Sequence, residues 1–227
     1  MKDFKIIVTG KYACFTMPQF KTERVSYDYP TPSAMKGLIE SIYYKPAIRI
    51  VIDKIVVFNP IKHLNIKRRE FDNIPSIYGG SKQNAETSIR NTLLLQDVKY
   101  GIQFHIELTH HKSENKDECL PKHYGIMEKR LKRGQSSRQP YLGCREFSVG
   151  RIELVDDFDL SEVDNSLMCD FNIGYMLYGL DFEDKGIPIN GDWNNPIFSN
   201  SAKPMWYSPR ITNGVIDVAK YRGTIIC

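Results

Sequence analysis

The sequence predicts an α+β protein in which residues 1–154 form a ferredoxin-like domain with a basic hairpin arm, and residues 155–227 form a small β-rich C-terminal region. Three observations carry that reading. Residues 32–45 repeat apolar side chains at helical spacing, residues 98–108 alternate them at strand spacing, and residues 120–133 form a second helix bounded by proline and glycine. Strand-like runs stand before and after each helix. The resulting order is strand, helix, strand, strand, helix, strand, a split pattern that RNA-recognition modules also use.

Residues 4–9 (FKIIVT) read as the first strand, and residues 17–30 as irregular polar chain. Thr31 is a good helix N-cap and Pro32 suits the first helical position. Behind them Ala34, Met35, Leu38, Ile39, Ile42 and Tyr43 make one apolar face. Pro46 disfavours helical geometry at Lys45, so the helix delivers Tyr43, Tyr44 and Lys45 to its C-terminal end, beside a strand over residues 48–58. Residues 59–80 carry IKHLNIKRREF, with Lys62, Lys67, Arg68 and Arg69, and end in YGG, which reads as a hairpin arm outside the core. A second long strand spans residues 92–110, with Val98, Tyr100, Ile102, Phe104, Ile106 and Leu108 on one face. The helix over residues 120–133 has Pro121 in its first turn and Gly134 as its stop. A strand over residues 145–154 closes the pattern, and residues 175–180 and 214–218 are candidate strands of the C-terminal region.

Composition narrows the partners. Hydrophobic residues make up 41% and aromatics 11% of the chain, with a net formal charge of +4, which fits a folded protein. The charge is unevenly placed: seven Lys/Arg against the single acid Glu146 between Lys129 and Arg151, then ten acids and no Lys or Arg between Glu153 and Asp184. Such a two-sign molecule suits an anionic partner on one side and a neutral or basic one on the other, although two solvated faces would look the same. The five cysteines, Cys14, Cys119, Cys144, Cys169 and Cys227, are scattered without a CxxC pair. That fits reduced thiols better than a disulfide framework or a zinc site. No apolar run approaches the roughly 18 residues of a membrane span, and the N-terminus has no signal-peptide core. The expected location is cytoplasmic.

No P-loop, GxSxG or Rossmann fingerprint is present. His105, His110 and His111 lie in or just after one strand with no carboxylate pair at two-metal spacing, and read as surface histidines of a strand end. Lys122-His123, in the first turn of the second helix, is more suggestive. Adjacent helical residues diverge by about 100°, so the two side chains can flank one anion at a helix end whose free N–H groups favour it. A phosphodiester is the natural guest, with Lys on a phosphate oxygen and His moving a proton near neutrality. A solvated helix start would carry the same dipeptide. Tyr43 is the third candidate, and core packing is its alternative reading.

Taken together, YPTPSAMKGLIESIYYKPAIRIVIDKIVVFNPI, IKRRE, RNTLLLQDVKYGIQFHIELT, KHYGIMEKRLKRGQ and YLGCREF closely resemble the fifth CRISPR-associated (Cas) protein family, in its subtype I-C (Dvulg) branch. The resemblance covers residues 4–154, and the tail matches more loosely. It implies a RAMP-superfamily protein with an RNA-recognition-type domain. Its implied activity is that of a metal-independent endoribonuclease, without cofactors, that cuts CRISPR precursor RNA within each repeat. The product would stay bound by its 5′ handle as the protein joins the large and backbone subunits of the type I-C surveillance (Cascade) complex. The family's catalytic tyrosine falls at Tyr43 in Ile42-Tyr43-Tyr44-Lys45-Pro46, where Tyr44 replaces an expected tryptophan. Its Lys-His pair falls at Lys122-His123-Tyr124.

RNA carries its own nucleophile, the ribose 2′-OH, so the chemistry needs a base, an acid and stabilisation of a charged phosphorane rather than a metal-activated water. His123 is assigned to proton transfer, Lys122 to electrostatic stabilisation and Tyr43 to positioning or shared proton transfer, leaving a 2′,3′-cyclic phosphate. Lys67, Arg68, Arg69, Lys129, Arg130, Lys132, Arg133, Arg138 and Arg145 are the candidates for gripping RNA phosphates, and Tyr78 for stacking a base. Two other readings stand beside this one: a guide-RNA scaffold that does not cut, and a double-stranded DNA-binding protein. A metal-dependent nuclease fits least.

Overall fold

The computed structural model describes residues 3–20, 22–71, 87–109, 119–184, 186–192, 195 and 197–226. In chain order its elements are β1 (Phe4–Ala13), β2 (Arg24–Val25), α1 (Pro32–Ile42), β3 (Ile48–Val57), β4 (His63–Phe71), β5 (Thr87–Leu108), α2 (Leu120–Arg133), β6 (Arg151–Val155), β7 (Asp170–Asn172), β8 (Met176–Phe182), β9 (Ala202–Tyr207), β10 (Arg210–Thr212) and β11 (Val215–Asp217). The main sheet runs β6-β1-β5-β3-β11-β10-β7, with every neighbouring pair antiparallel. The protein is thus a mixed α/β fold with a large antiparallel sheet and few helices. Among the described residues no helix is long and apolar enough to cross a membrane.

The central strand follows from its alternation. Val98, Tyr100, Ile102, Phe104 and Ile106 are buried, as their period of two requires. Leu108, in the same phase, is exposed because the strand ends there. Phe104 and Tyr124 of α2 both stack on Phe4 with ring centroids 5.3 Å away, which ties β1, β5 and α2 together. On the opposite face Gly101 admits the Phe158 ring, to which a Cβ would come within 2.8 Å.

Both helices begin where their sequences direct and α2 ends at its glycine, whereas α1 ends before the Lys45 position expected from Pro46. The Thr31 hydroxyl accepts from the Ala34 N–H at 3.3 Å, and Met35, Leu38, Ile39 and Ile42 form the buried face of α1. The helix stops at Ile42, and Tyr43 already has extended backbone (φ −152°). In α2 the stop is Gly134 at φ +63°, which lets the Gln135 N–H reach back to the Arg130 carbonyl at 2.9 Å. α1 lies against β3 and β8, and α2 lies against β5 and β6.

Three further sequence expectations are altered. The strand expected over residues 145–154 begins only at Arg151, because residues 140–149 close on themselves. Leu142 donates to Phe147, Phe147 to Cys144 and Val149 to Pro140, at 2.8–3.0 Å, which uses donors a ladder would need. The polar stretch before α1 contains β2, which pairs in parallel with β5 at Thr92 and Leu93. The arm is an extension of the central strand: β4 pairs with residues 87–95 of β5, from His63 opposite Leu95 to Phe71 opposite Thr87. Its expected YGG tip and Tyr78 lie outside the described residues, as do His110 and His111.

Beyond residue 154, β11 adds to β3 and continues the main sheet, while β8 and β9 form a separate two-stranded sheet. Met176, Tyr207, Ile211, Ile216 and Val218 join the same apolar cluster as the faces of α1 and β5. Much of the acidic stretch is used locally. Asp159 and Asp164 cap short 3-10 turns, Asp157 pairs with Lys5 at 2.9 Å and Glu162 pairs with Lys99.

Candidate active site and nucleic-acid interface

Where α1 ends and α2 begins, Tyr43 and His123 meet. The Tyr43 hydroxyl lies 2.9 Å from His123 Nδ1 across 80 residues of sequence, and both side chains are almost fully buried, at 3% and 1% exposure. When the hydroxyl donates, the neutral ring carries its proton on Nε2; when the ring is protonated, Nδ1–H donates to the hydroxyl oxygen. The contact can therefore hold either state needed for proton transfer. Lys122, one residue earlier, is exposed. It sits in the first turn of α2, whose N-cap Cys119 makes no side-chain capping bond. Its neighbour Tyr124 points inward instead, where its hydroxyl accepts from the Ile106 N–H at 3.1 Å.

A further residue organises this pair. The Arg130 guanidinium stands 5.1 Å from the centre of the Tyr43 ring, donates to the Ile42 carbonyl and reaches the Ser137 hydroxyl at 2.6 Å. It thus satisfies a carbonyl left open where α1 ends, and lies on the face of the ring it orients. The Ser137 and Arg138 N–H groups bond the Ser41 carbonyl at 2.9 and 3.0 Å, which clamps the same helix end. Arg130 lies seven residues after His123, two helical turns along one face. That spacing is the signal in the sequence for this role, which the basic run around it hides by suggesting RNA phosphates alone.

The other basic candidates divide. Lys67 and Arg69 on β4 are exposed, as are Lys129, Arg133, Arg138 and Arg145. Lys132, also exposed, pairs with Glu128 at 2.7 Å, and that bond pushes its pKa up. Arg68 is committed inside the protein, bonded to Glu146 at 2.7 Å and to Glu70 at 3.2 Å, with its guanidinium beside the Phe147 ring. Arg24 makes the matching pairs with Glu146 at 2.9 Å and Glu70 at 3.3 Å. Arg68 is therefore a strut between the arm and the 140–149 turn. The structure brings Arg130 to Tyr43 and the Arg138 backbone to the end of α1, while Arg145 is exposed in the 140–149 turn.

His105 also departs from expectation. It is buried, on the sheet face opposite Phe104 and Ile106, with its ring nitrogens 2.6 Å from Asp53 and 3.3 Å from Glu107. Asp53 stands where the β3 register breaks between Ile52 and Lys54, and Arg222 donates to its other oxygen at 2.6 Å. Asp3, Asp53 and His105 are the one group among the described residues whose ligand atoms lie close enough to share a cation, within 4.8 Å of one another. Arg222 occupies one oxygen of that set.

The relatives agree with this architecture. Residues 5–219 match the Cas5d family profile, described as CRISPR-associated protein. A protein of Mannheimia succiniciproducens named CRISPR pre-crRNA endoribonuclease Cas5d is 33% identical, over 96% of this chain and 95% of its own. A Thermus thermophilus protein of the same name is 35% identical, over 96% of this chain and 92% of its own. A crystal structure of a CRISPR-associated protein superposes with a TM-score of 0.62 at 25% identity, over 95% of this chain and 91% of that one. On the extent of these matches, the chain belongs to the Cas5d family of CRISPR-associated proteins, of the type I-C systems.

Proposed function

We propose that the chain is a metal-independent endoribonuclease that cuts CRISPR precursor RNA within its repeat and then holds the 5′ handle as a subunit of the type I-C surveillance complex, beside its large and backbone subunits. The observation that carries this reading is the Tyr43–His123 contact at 2.9 Å with Lys122 adjoining it, in a family whose relatives are named as pre-crRNA endoribonucleases. The order β6-β1-β5-β3, with a helix in each crossover, supports a ferredoxin-like assignment for residues 1–154. Residues 155–227 form the β-rich region beside it.

In the proposed reaction His123 exchanges a proton with the 2′-OH or the leaving 5′-oxygen. Tyr43 sets the ring's orientation and shares the proton, and Lys122 offsets the charge growing on the phosphorane. The products are a 2′,3′-cyclic phosphate and a 5′-hydroxyl. Since Tyr43 and His123 are buried, binding must turn one of them outward before the chemistry, and the exposed Lys122 is the first of the three to meet the phosphate.

The test is cleavage of the cognate repeat RNA in EDTA by the wild type and His123→Ala, with RNA binding measured alongside. Cutting by the wild type alone, with binding kept in the variant, supports the proposal. Binding without cutting in both makes the protein an RNA scaffold. Cutting that EDTA abolishes makes it a metal-dependent nuclease.

A further inference from the structure

Two cysteines meet at the base of the arm. At the end of β1 the Cys14 N–H donates to the Leu142 carbonyl at 3.0 Å. Gly143, at φ +84°, then brings the turn so close that a Cβ there would lie 1.9 Å from the Cys14 carbonyl oxygen. This approach sets Cys144 beside Cys14. The Cys144 thiol donates to the Cys14 carbonyl oxygen at 3.6 Å, which places the two side chains side by side. The Arg24 guanidinium stands 3.9 Å from the Cys144 sulfur. Cys14 is fully buried and Cys144 half-buried, within a small apolar cluster with Leu94 and Phe147.

This setting divides the two sulfurs by role. The hydrogen bond from Cys14 pulls the Cys144 thiol down to about 7, with Arg24 adding to the effect, while burial and the Glu146 charge oppose it. The same bond and burial push Cys14 up. Near neutral pH Cys144 is the nucleophile and Cys14 keeps its proton.

We propose that Cys144 and Cys14 are an oxidant-responsive thiol pair, with Cys144 attacking and Cys14 resolving, that closes a disulfide between the end of β1 and the turn that braces the arm. The oxidant is a hydroperoxide. The Cys144 thiolate attacks its terminal oxygen, the O–O bond breaks, and hydroxide or alkoxide leaves a sulfenic acid on Cys144. Cys14, losing its proton, attacks that sulfur; the S–O bond breaks and water departs. Two thiols supply two electrons to one peroxide. Because Glu146 in the same turn holds Arg24 and Arg68, the bond fixes the arm's support to β1 and withdraws a negative sulfur from Arg24.

The test uses the full-length reduced protein. Alkylation of Cys144 by iodoacetamide, followed by peptide mass spectrometry across pH, should show a midpoint near 7. Dilute hydrogen peroxide should yield a linked Cys14–Cys144 peptide that a dithiol reductant removes and that Cys144→Ser lacks. In Cys14→Ala the Cys144 sulfenic acid should instead be trapped by dimedone. Because Cys14 is buried, the wild-type measurements decide if that variant does not fold. An alkylation midpoint near the ordinary thiol value of about 8.5 overturns the proposal. So does a folded, peroxide-treated wild type with no linked peptide.

Discussion

The Tyr43 hydroxyl and His123 Nδ1 are in hydrogen-bond contact where the end of α1 meets the start of α2. Tyr43→Phe keeps the ring over Arg130 and removes only that hydroxyl. Proton sharing through it predicts a cleavage rate lower by about 10²–10⁴-fold, with a stability loss of about 1 kcal/mol. Single-turnover cleavage and thermal melting measure the two. Wild-type cleavage in the variant would leave Tyr43 as a packing residue.

Lys122 is exposed at the start of α2, so its replacement should separate activity from stability. Lys122→Ala is expected to slow cleavage about 10²-fold while changing stability by less than about 0.5 kcal/mol. A melting shift well beyond that would mean Lys122 has a structural role that its exposure does not suggest.

Arg130 should behave in the opposite way. Arg130→Ala leaves the Ile42 carbonyl and the Ser137 hydroxyl without this donor and uncovers Tyr43. The expected cost is about 1–3 kcal/mol, read as a lower melting temperature, together with slower cleavage. Arg130→Lys should recover little of it, since an ammonium cannot lie flat on the ring and also span both acceptors.

RNA binding should distinguish free charges from struts. Replacing Lys67 or Arg69 by Ala should flatten the dependence of log affinity on log salt by about 1 for each phosphate that is no longer neutralised. Arg68→Ala should instead lower stability, because it removes one of the two arginines that tie Glu146 to the arm and leaves that carboxylate to Arg24 alone. Filter binding over a salt series, beside melting curves, tests both halves.

The same braces give the arm a pH dependence. Burial raises the Glu146 pKa, but its own N–H, Arg68 and Arg24 outweigh that and leave it below the usual 4.5. A folded-state value depressed in this way gives stability that is present above the unfolded pKa and lost as pH falls through the folded one. Amide exchange in β4 should therefore rise as pH drops from about 5 toward 3, after correction for intrinsic rates. Glu146→Gln should show less of that rise, and an identical rise would exclude Glu146 as the acid-sensitive brace.

What the sequence reveals and what it withholds follow one division. Local patterns are legible: the Thr31 cap, the Gly134 stop and the inward alternation of β5 are set by neighbours a few residues away. Side-chain partnerships across the fold are not. Nothing in KRRE marks Arg68 as inward-facing, because that depends on Glu146, 78 residues later. The strand expected from Arg145 onward fails for the same reason, since the donors it needs are taken by a turn that Gly143 folds against β1. Tyr43 and His123 are marked by resemblance, and only the packing of α1 against α2 brings them into contact.

The central strand also constrains the order in which the chain can organise during synthesis. β1, β2, β3 and β4 all precede β5, and each pairs with it; among the described residues none of the four strands pairs with another of them. Every sheet edge made in the first 71 residues must therefore wait for residues 87–108 to leave the ribosome. Until then the nascent segment carries apolar strands with unpaired edges, the kind of intermediate that aggregates or recruits chaperones. A ribosomal pause just before β5 should lower the soluble yield, and a pause after it should not.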